Sequence, residues 1–202
     1  MKRVAIFDYG AGNLHSLAKA ISIEEARISV ETDLRAAMRS DVLVLPGVGA
    51  FGAAVAAMQG AQADLASALA DGLPCLGICL GMQLLFDSSE ESAGRGIGLI
   101  AGSVKRLRTS KVPHMGWNQI EWLAVTEGRK NTGLESAYFA NTYICQPEHE
   151  SPIVAWTTHE NARFASVVRQ ANTIGVQFHP EKSSAAGRAF VNALIEDLAE
   201  CR

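Results

Sequence analysis

Cys79 lies in the stretch Pro74 to Phe86, PCLGICLGMQLLF, with Gly77 two residues before it and Gly81 two residues after. This G-x-C-x-G spacing is a cysteine version of the nucleophile elbow, in which a sharp strand-to-helix turn carries the attacking atom. The turn forces the nucleophile into a strained backbone conformation, and side chains at the flanking positions would clash. It also sets sulfur beside the first free N–H groups of a helix, whose partial positive charge favours the attacking thiolate. A thiolate of this kind performs acyl transfer on a carboxyl derivative. That chemistry needs a base, a group to orient the base, and donors for the developing oxyanion.

The second half of the chain contains Gly175-Val176-Gln177-Phe178-His179-Pro180-Glu181. A strand delivering His179 would end at Pro180, which lacks the ladder donor. Histidine can take the thiol proton and later return it to a leaving amine. Glu181, two residues on, can fix the imidazole tautomer and stabilise imidazolium. Pro46-Gly47-Val48-Gly49 follows another apolar run and can supply an oxyanion N–H beside that of Leu80.

The elements that must hold these residues alternate. Val4 to Asp8, Ile28 to Thr32, Asp41 to Leu45 and Cys75 to Ile78 read as strands. Helical segments lie between them: one with Leu14, Leu17, Ala18 and Ile21 on a face, one from an Asp33 cap to Arg39, and Ala53 to Leu69 broken near Gly60. A further helix starts at Leu80 and reaches Phe86. This order predicts a three-layer α/β fold, a mostly parallel central sheet with helices on both faces, of the flavodoxin-like kind. Ser88 to Gly98 reads as a surface loop. Shorter strands are expected at Leu99 to Leu107, Trp117 to Leu123, Tyr138 to Cys145, Ile153 to Thr158, Phe164 to Arg169 and Gly175 to His179, several of them antiparallel. Ser183 or Ser184 is expected to cap a last helix with Phe190, Leu194, Ile195 and Leu198 facing the core.

The 202 residues suit one domain, 1–202, and 48% of them are hydrophobic, enough for a sizeable core. A formal charge of −3 leaves no footprint for nonspecific nucleic-acid binding. The apolar runs are too short to span a membrane, and the first is interrupted by Asp8 too soon for a signal peptide. Cysteines 75, 79, 145 and 201 form no C-x-x-C pair, so neither a metal site nor a disulfide framework is expected, and a cytoplasmic location is the simplest. No cofactor is called for.

Together, PGVGAFG, GICLGMQLLF and VQFHPEKSS closely resemble the class I glutamine amidotransferases of the Cys-His-Glu triad type, over nearly the whole chain. FDYGAGNLHSL at 7 to 17, VPHMGWN at 112 to 118 and FANTY at 139 to 143 are similar to the glutaminase subunits of imidazole glycerol phosphate synthases of histidine biosynthesis. The resemblance implies that Cys79 attacks the carboxamide of L-glutamine, that His179 shuttles the proton, and that Glu181 holds His179. Gly47 and Leu80 would give the oxyanion N–H groups. Gly49, Gln83, Glu91, Thr142 and Tyr143 would bind substrate, Glu91 through its α-ammonium. The implied partner is a (β/α)8-barrel cyclase in a heterodimer, docked beside Asn13, Tyr138 and Lys182. The cyclase would use the ammonia to make imidazole glycerol phosphate and 5-aminoimidazole-4-carboxamide ribonucleotide. The chain departs from the family at Asn141, where many members carry histidine. A glutaminase serving a different synthase, such as one forming pyridoxal phosphate, and an idle interaction subunit are the competing readings. YGAGN and HMGWN argue against the first, and the intact triad against the second.

Overall fold

The computed structural model describes residues 1–10, 14–23, 26–123 and 134–200. Four parallel strands open the chain: β1 (Lys2–Phe7), β2 (Ala26–Glu31), β3 (Val42–Leu45) and β4 (Cys75–Ile78). Each strand of β3 and β4 is buried at every position, as a strand covered on both faces must be. Helices α1 (Leu14–Ala20), α2 (Leu34–Ala37), α3 (Phe51–Ala57) and α4 (Gln62–Ala70) connect them.

The period of two sorts the strand side chains onto two faces. Phe7, Leu43, Leu45 and Cys75 pack with Leu34 of α2, Phe51 of α3, and Leu65 and Leu69 of α4. Val4, Ile6, Val42, Val44, Leu76 and Ile78 pack with Leu14 and Leu17 of α1 on the other face. That face is completed by α6 (Ser184–Glu200), through Phe190, Val191, Ile195 and Leu198. The three-layer expectation is met. Asp33 caps α2, its carboxylate accepting from Arg35 N at 2.9 Å. The long alanine-rich helix divides where Gln59 and Gly60 take φ of 50° and 80°.

After β4 comes α5 (Leu80–Leu84), which is only five residues long. Phe86 therefore does not extend it but begins β5 (Phe86–Ser89), inside the span read as helix and loop. Then follow β6 (Ile100–Arg106), β7 (His114–Gln119), β8 (Glu121–Trp122), β9 (Ser136–Asn141), β10 (Tyr143–Pro147), β11 (Ile153–His159), β12 (Ala162–Gln170) and β13 (Thr173–Val176). The main sheet runs β2-β1-β3-β4-β13-β12-β11-β8, with β13 parallel to β4 and the last three strands antiparallel. Two small sheets, β10-β6-β5 and β7-β9, stand beside it.

Four sequence expectations are corrected here. Tyr138 to Cys145 is two strands in two sheets, because the chain turns at Thr142, whose carbonyl is claimed by Leu107 N at 2.9 Å. Trp117 to Leu123 is likewise split between β7 and β8. The last strand ends at Val176, not His179. Beyond it Gln177 N still bonds Ser166 O at 2.9 Å, but His179 N turns to Tyr138 O of β9 at 2.8 Å. Ser183 does not cap α6 with its hydroxyl. That hydroxyl donates to His179 O at 2.7 Å and accepts from Tyr138 N at 2.9 Å.

Candidate active site

Strand β4 ends in Ile78, and Cys79 follows with φ 47° and ψ −99°, a conformation that costs roughly 1–3 kcal/mol. Packing holds it. Cys79 N donates to Val176 O of β13 at 2.6 Å, and Gln83 N donates to Cys79 O at 3.1 Å. The flanking glycines permit close approach. A Cβ on Gly77 would lie 2.7 Å from the Gly81 carbonyl, and one on Gly81 would lie 2.0 Å from Leu45 O. The elbow helix therefore presses directly on the end of β3.

The strand that follows in the sheet, β13, brings the second group. His179 is buried, with 3% of its side chain exposed, and its Nδ1 lies 2.8 Å from Glu181 Oε1, itself 8% exposed. Pro180–Lys182 form a 3-10 turn, so Glu181 curls back under the ring it touches. The imidazole and Cys79 flank the same residue, Gly47, and interact with each other. Burial disfavours a charged ring, yet the bonds and charges of Cys79 and Glu181 outweigh it and raise His179 to about 10. The arrangement is an ion pair at neutral pH: an imidazolium between a sulfur nucleophile and a carboxylate.

Pro46 follows β3, and the next residue meets both groups. A Cβ on Gly47 would stand 3.0 Å from His179 Cε1 and 3.1 Å from Cys79 Cβ. The carboxyl ends of β3, β4 and β13 thus converge, as sites of open α/β sheets do. A cleft of about 300 Å³ opens there. Gly47, Val48, Gly49, Cys79, Leu80 and His179 line it, with Gln83, Glu91, Ala140, Asn141, Thr142, Tyr143 and Lys182. Glu181 stands behind His179, and Tyr138 lies on β9, its backbone carbonyl holding His179 N. Asn13 lies outside the described residues.

The polar lining is specific in its partners. Gln83 Nε2 donates to Tyr143 O at 3.2 Å, and Asn141 Nδ2 donates to the same carbonyl at 3.1 Å. One oxygen of Glu91 accepts from Phe51 N at 3.0 Å, capping α3, whose own N-cap Ala50 has no side-chain oxygen to offer. Glu91 is thus tied to the helix that follows the Gly47–Gly49 stretch.

Several residues at the site were not singled out from sequence. Gln177 is fully buried and donates from Nε2 to Cys79 Sγ at 3.4 Å. Its sequence signal is weak: it precedes His179 by two, but beyond the strand end at Val176 that spacing does not fix a shared side. Tyr9, in the YGAGN loop, donates its hydroxyl to Pro46 O. Met115 and Trp117 stand 65% and 56% exposed on β7, and Trp117 pairs across the ladder with Tyr138. A wider groove of about 700 Å³ flanks β10, with Arg106, Arg108, Trp156 and Arg163 in its wall, but it contains none of Cys79, His179 or Glu181. Among the described residues no cluster of His, Cys, Asp and Glu is placed to hold a metal ion, and no helix is long and apolar enough to cross a membrane.

Residues 5–196 match the sequence profile of the family described as Glutamine amidotransferase class-I. The chain belongs to that family. It is 42% identical over 192 residues to the imidazole glycerol phosphate synthase subunit HisH of Pyrococcus furiosus, a match covering 93% of this chain and 95% of that one. The HisH subunit of Methanothermobacter thermautotrophicus is 40% identical over 96% of this chain and 98% of its own. Among solved structures, the PurLQS complex of Thermotoga maritima contains a chain that superposes with a TM-score of 0.72 at 19% identity, covering 98% of this chain and all of that one. A further crystal structure of a glutamine amidotransferase superposes with a TM-score of 0.71 at 16% identity, covering 98% of both chains. These two share the fold.

Proposed function

We propose that this glutamine amidotransferase, a single domain over residues 1–202, is the glutaminase subunit of an imidazole glycerol phosphate synthase. It hydrolyses L-glutamine and passes ammonia to a (β/α)8-barrel cyclase subunit in a cytoplasmic heterodimer. The observation that carries the reading is the Cys79–His179–Glu181 contact chain at the floor of one cleft, in a chain about 40% identical to HisH subunits.

The chemistry follows from the ion pair. The Cys79 thiolate attacks the carboxamide carbon of glutamine, forming a C–S bond and moving an electron pair onto oxygen. Leu80 opens α5 and has no intrahelical acceptor for its N–H, so it can donate to that oxyanion. The Gly47–Val48 stretch, set against Cys79, is the source of the second donor. His179 gives its proton to the departing nitrogen as the C–N bond breaks, and ammonia leaves. Water then attacks the thioester, His179 takes the water's proton, the C–S bond breaks and glutamate departs. Glu181 keeps the ring aligned through both halves and stabilises it whenever it carries the proton.

Substrate recognition falls to the rest of the cleft lining. Gln83 spends its N–H groups within the protein, leaving Oε1 as an acceptor for substrate. The second oxygen of Glu91 faces the α-ammonium, and Gly49, Thr142 and Tyr143 offer backbone groups to the amino-acid end. Lys182 at the cleft and Tyr138 on β9 form the partner contact, the exposed Met115 and Trp117 extend it, and Asn13 is assigned to it from the family resemblance alone. The test is glutamate release from glutamine by the purified subunit alone, with cyclase, and with cyclase and its nucleotide ligand. No glutamate under any of the three conditions would overturn the reading.

A further inference from the structure

The hydrogen bonds behind Cys79 have a direction that one backbone group dictates. The Tyr143 carbonyl can only accept, and its two lone pairs are met by Asn141 Nδ2 at 3.1 Å and Gln83 Nε2 at 3.2 Å. Gln83 must therefore present nitrogen, not oxygen, on that side. Its nitrogen also lies 3.5 Å from Gln177 Oε1. Gln177 is thereby oriented with its oxygen toward Gln83 and its nitrogen toward Cys79 Sγ, 3.4 Å away. Turning either carboxamide over would oppose donor to donor or leave Tyr143 O facing an acceptor. The sulfur thus receives an N–H it cannot lose without unmaking the chain of bonds back to β10.

We propose that Gln177 is a further catalytic residue: its carboxamide N–H holds the sulfur of Cys79 as the attacking anion and ties it to the substrate-side Gln83. This rests on the reading of Cys79 as the glutaminase nucleophile. A hydrogen bond to a charged acceptor is stronger than one to a neutral one, so the N–H favours thiolate over thiol. The same N–H meets the electron pair that returns to sulfur when the C–S bond of the thioester breaks and water's oxygen completes glutamate. Gln177 is buried away from water, so this donor is not screened or replaced by solvent.

The other groups facing the sulfur are accounted for. His179 from the β13 segment donates as imidazolium, with Glu181 behind it. Tyr9 from the loop after β1 and Cys145 of β10 are near enough to feel charge on Cys79. Burial first and that charge second push both well above their ordinary ranges, so they remain neutral and add no competing charge. Gln177 and His179 are then the two side-chain donors on the nucleophile, one permanent and one that gives its proton away during the reaction.

The experiment measures alkylation of Cys79 by iodoacetamide across pH, read by mass spectrometry on the intact chain, for wild type, Gln177→Met and Gln177→Glu. Methionine fills nearly the same space without a donor. Its alkylation midpoint is expected to rise by about one pH unit, and kcat for glutamine in the complex with cyclase to fall about tenfold, more than KM changes. Glutamate sets a like charge against thiolate and is expected to raise the midpoint further. A structural carboxamide would lower thermal stability and leave the midpoint in place. A wild-type midpoint in both variants, whether or not they melt earlier, overturns the proposal. The midpoint is read without glutamine or partner, so failure of wild type to release glutamate would instead overturn the functional reading and leave this comparison intact.

Discussion

The phenol of Tyr9 donates its hydroxyl to the carbonyl oxygen of Pro46, and its Cε2 lies 3.8 Å from where a Cβ on Gly49 would stand. Pro46 and Gly49 bracket the glycine-rich stretch that faces Cys79. One buried side chain from the loop after β1 therefore braces both ends of the segment that is to supply an oxyanion donor. Removing the hydroxyl leaves a buried carbonyl unpaired at about 1–3 kcal/mol. Tyr9→Phe is expected to lower glutamine turnover roughly tenfold while KM changes little. Wild-type steady-state kinetics in this variant would show that Tyr9 only fills space.

Cys79→Ser keeps the shape of the elbow but replaces the sulfur nucleophile with a hydroxyl that the imidazolium cannot activate. Glutamine-dependent product formation should vanish, while the complex supplied with free ammonia still makes imidazole glycerol phosphate. Residual glutamine turnover near wild type would remove Cys79 from its role. Cys75, buried one strand-length earlier and pushed upward by burial alone, should tolerate alanine with a loss of stability near 1 kcal/mol and no loss of activity.

Glu181→Gln retains an acceptor for His179 Nδ1 but removes a charge. Burial opposes the imidazolium, and Cys79 and Glu181 together hold it near 10, so the variant's His179 should titrate lower. NMR of ring-labelled histidine measures this directly. The sign extends to stability. A folded pKa above the unfolded value of about 6.5 stabilises fully below that value, and the gain fades as pH rises toward 10. The variant should lose part of that alkaline slope, the share of Cys79 remaining. Its kcat should fall by less than that of His179→Ala, by roughly two orders of magnitude, and the double variant should be no worse than the alanine alone.

His114 offers the opposite slope. It is buried, stacked on Phe139 at 4.8 Å and on His159 at 4.1 Å between ring centroids, and its Nε2 lies 3.1 Å from the donor-only Nδ2 of Asn118. Burial, then the neighbouring His159, lowers it to about 4 against the opposing pull of Asn141. Between that value and about 6.5 the unfolded chain binds more protons, so stability rises with pH over this window. Urea denaturation of His114→Phe should show a flatter acid limb than wild type. Parallel limbs would place the acid sensitivity elsewhere.

The parts of the fold set by local rules were readable from the chain. Continuous apolar runs identify β3 and β4, the Asp33 cap starts α2, and the Gly77-Cys79-Gly81 spacing marks the elbow. What escaped was decided by distant partners. Nothing local splits Tyr138 to Cys145 at Thr142. The break exists because β9 pairs with β7 while β10 pairs with β6, and that turn sets Thr142 and Tyr143 into the cleft. Likewise Ser183 reads as a cap by its type, yet its hydroxyl is taken by the turn that carries His179. Gln177 was hidden differently: a buried amide within an apolar strand end looks structural until the sulfur beside it is seen.

The last expectation concerns control by the partner. Met115 and Trp117 project from the outer face of β7, and Tyr138, the ladder partner of Trp117, shares that face. Large exposed apolar side chains beside a cleft suit a protein interface, and tryptophan anchors are its strongest class. This face is mechanically joined to the site. The backbone of Tyr138 holds His179 N through its carbonyl and Ser183 Oγ through its N–H. In the cleft itself, Gly47 and Gly49 allow the Val48 peptide more than one orientation, Gly49 having φ of 122°. A resting orientation with the Val48 N–H turned away would cost roughly 10²–10³ in rate. A partner that binds the other orientation better shifts the population toward it. Glutamate release should therefore be slow for the subunit alone and rise with cyclase, then again with its nucleotide ligand. Equal rates in all three conditions reject such control. Trp117→Ala should weaken cyclase binding by 2 kcal/mol or more, about thirtyfold in Kd by calorimetry, without changing the slow partner-free rate. Stimulation that survives Tyr138→Ala combined with Lys182→Ala would keep the control and move its contact points to Met115 and Trp117.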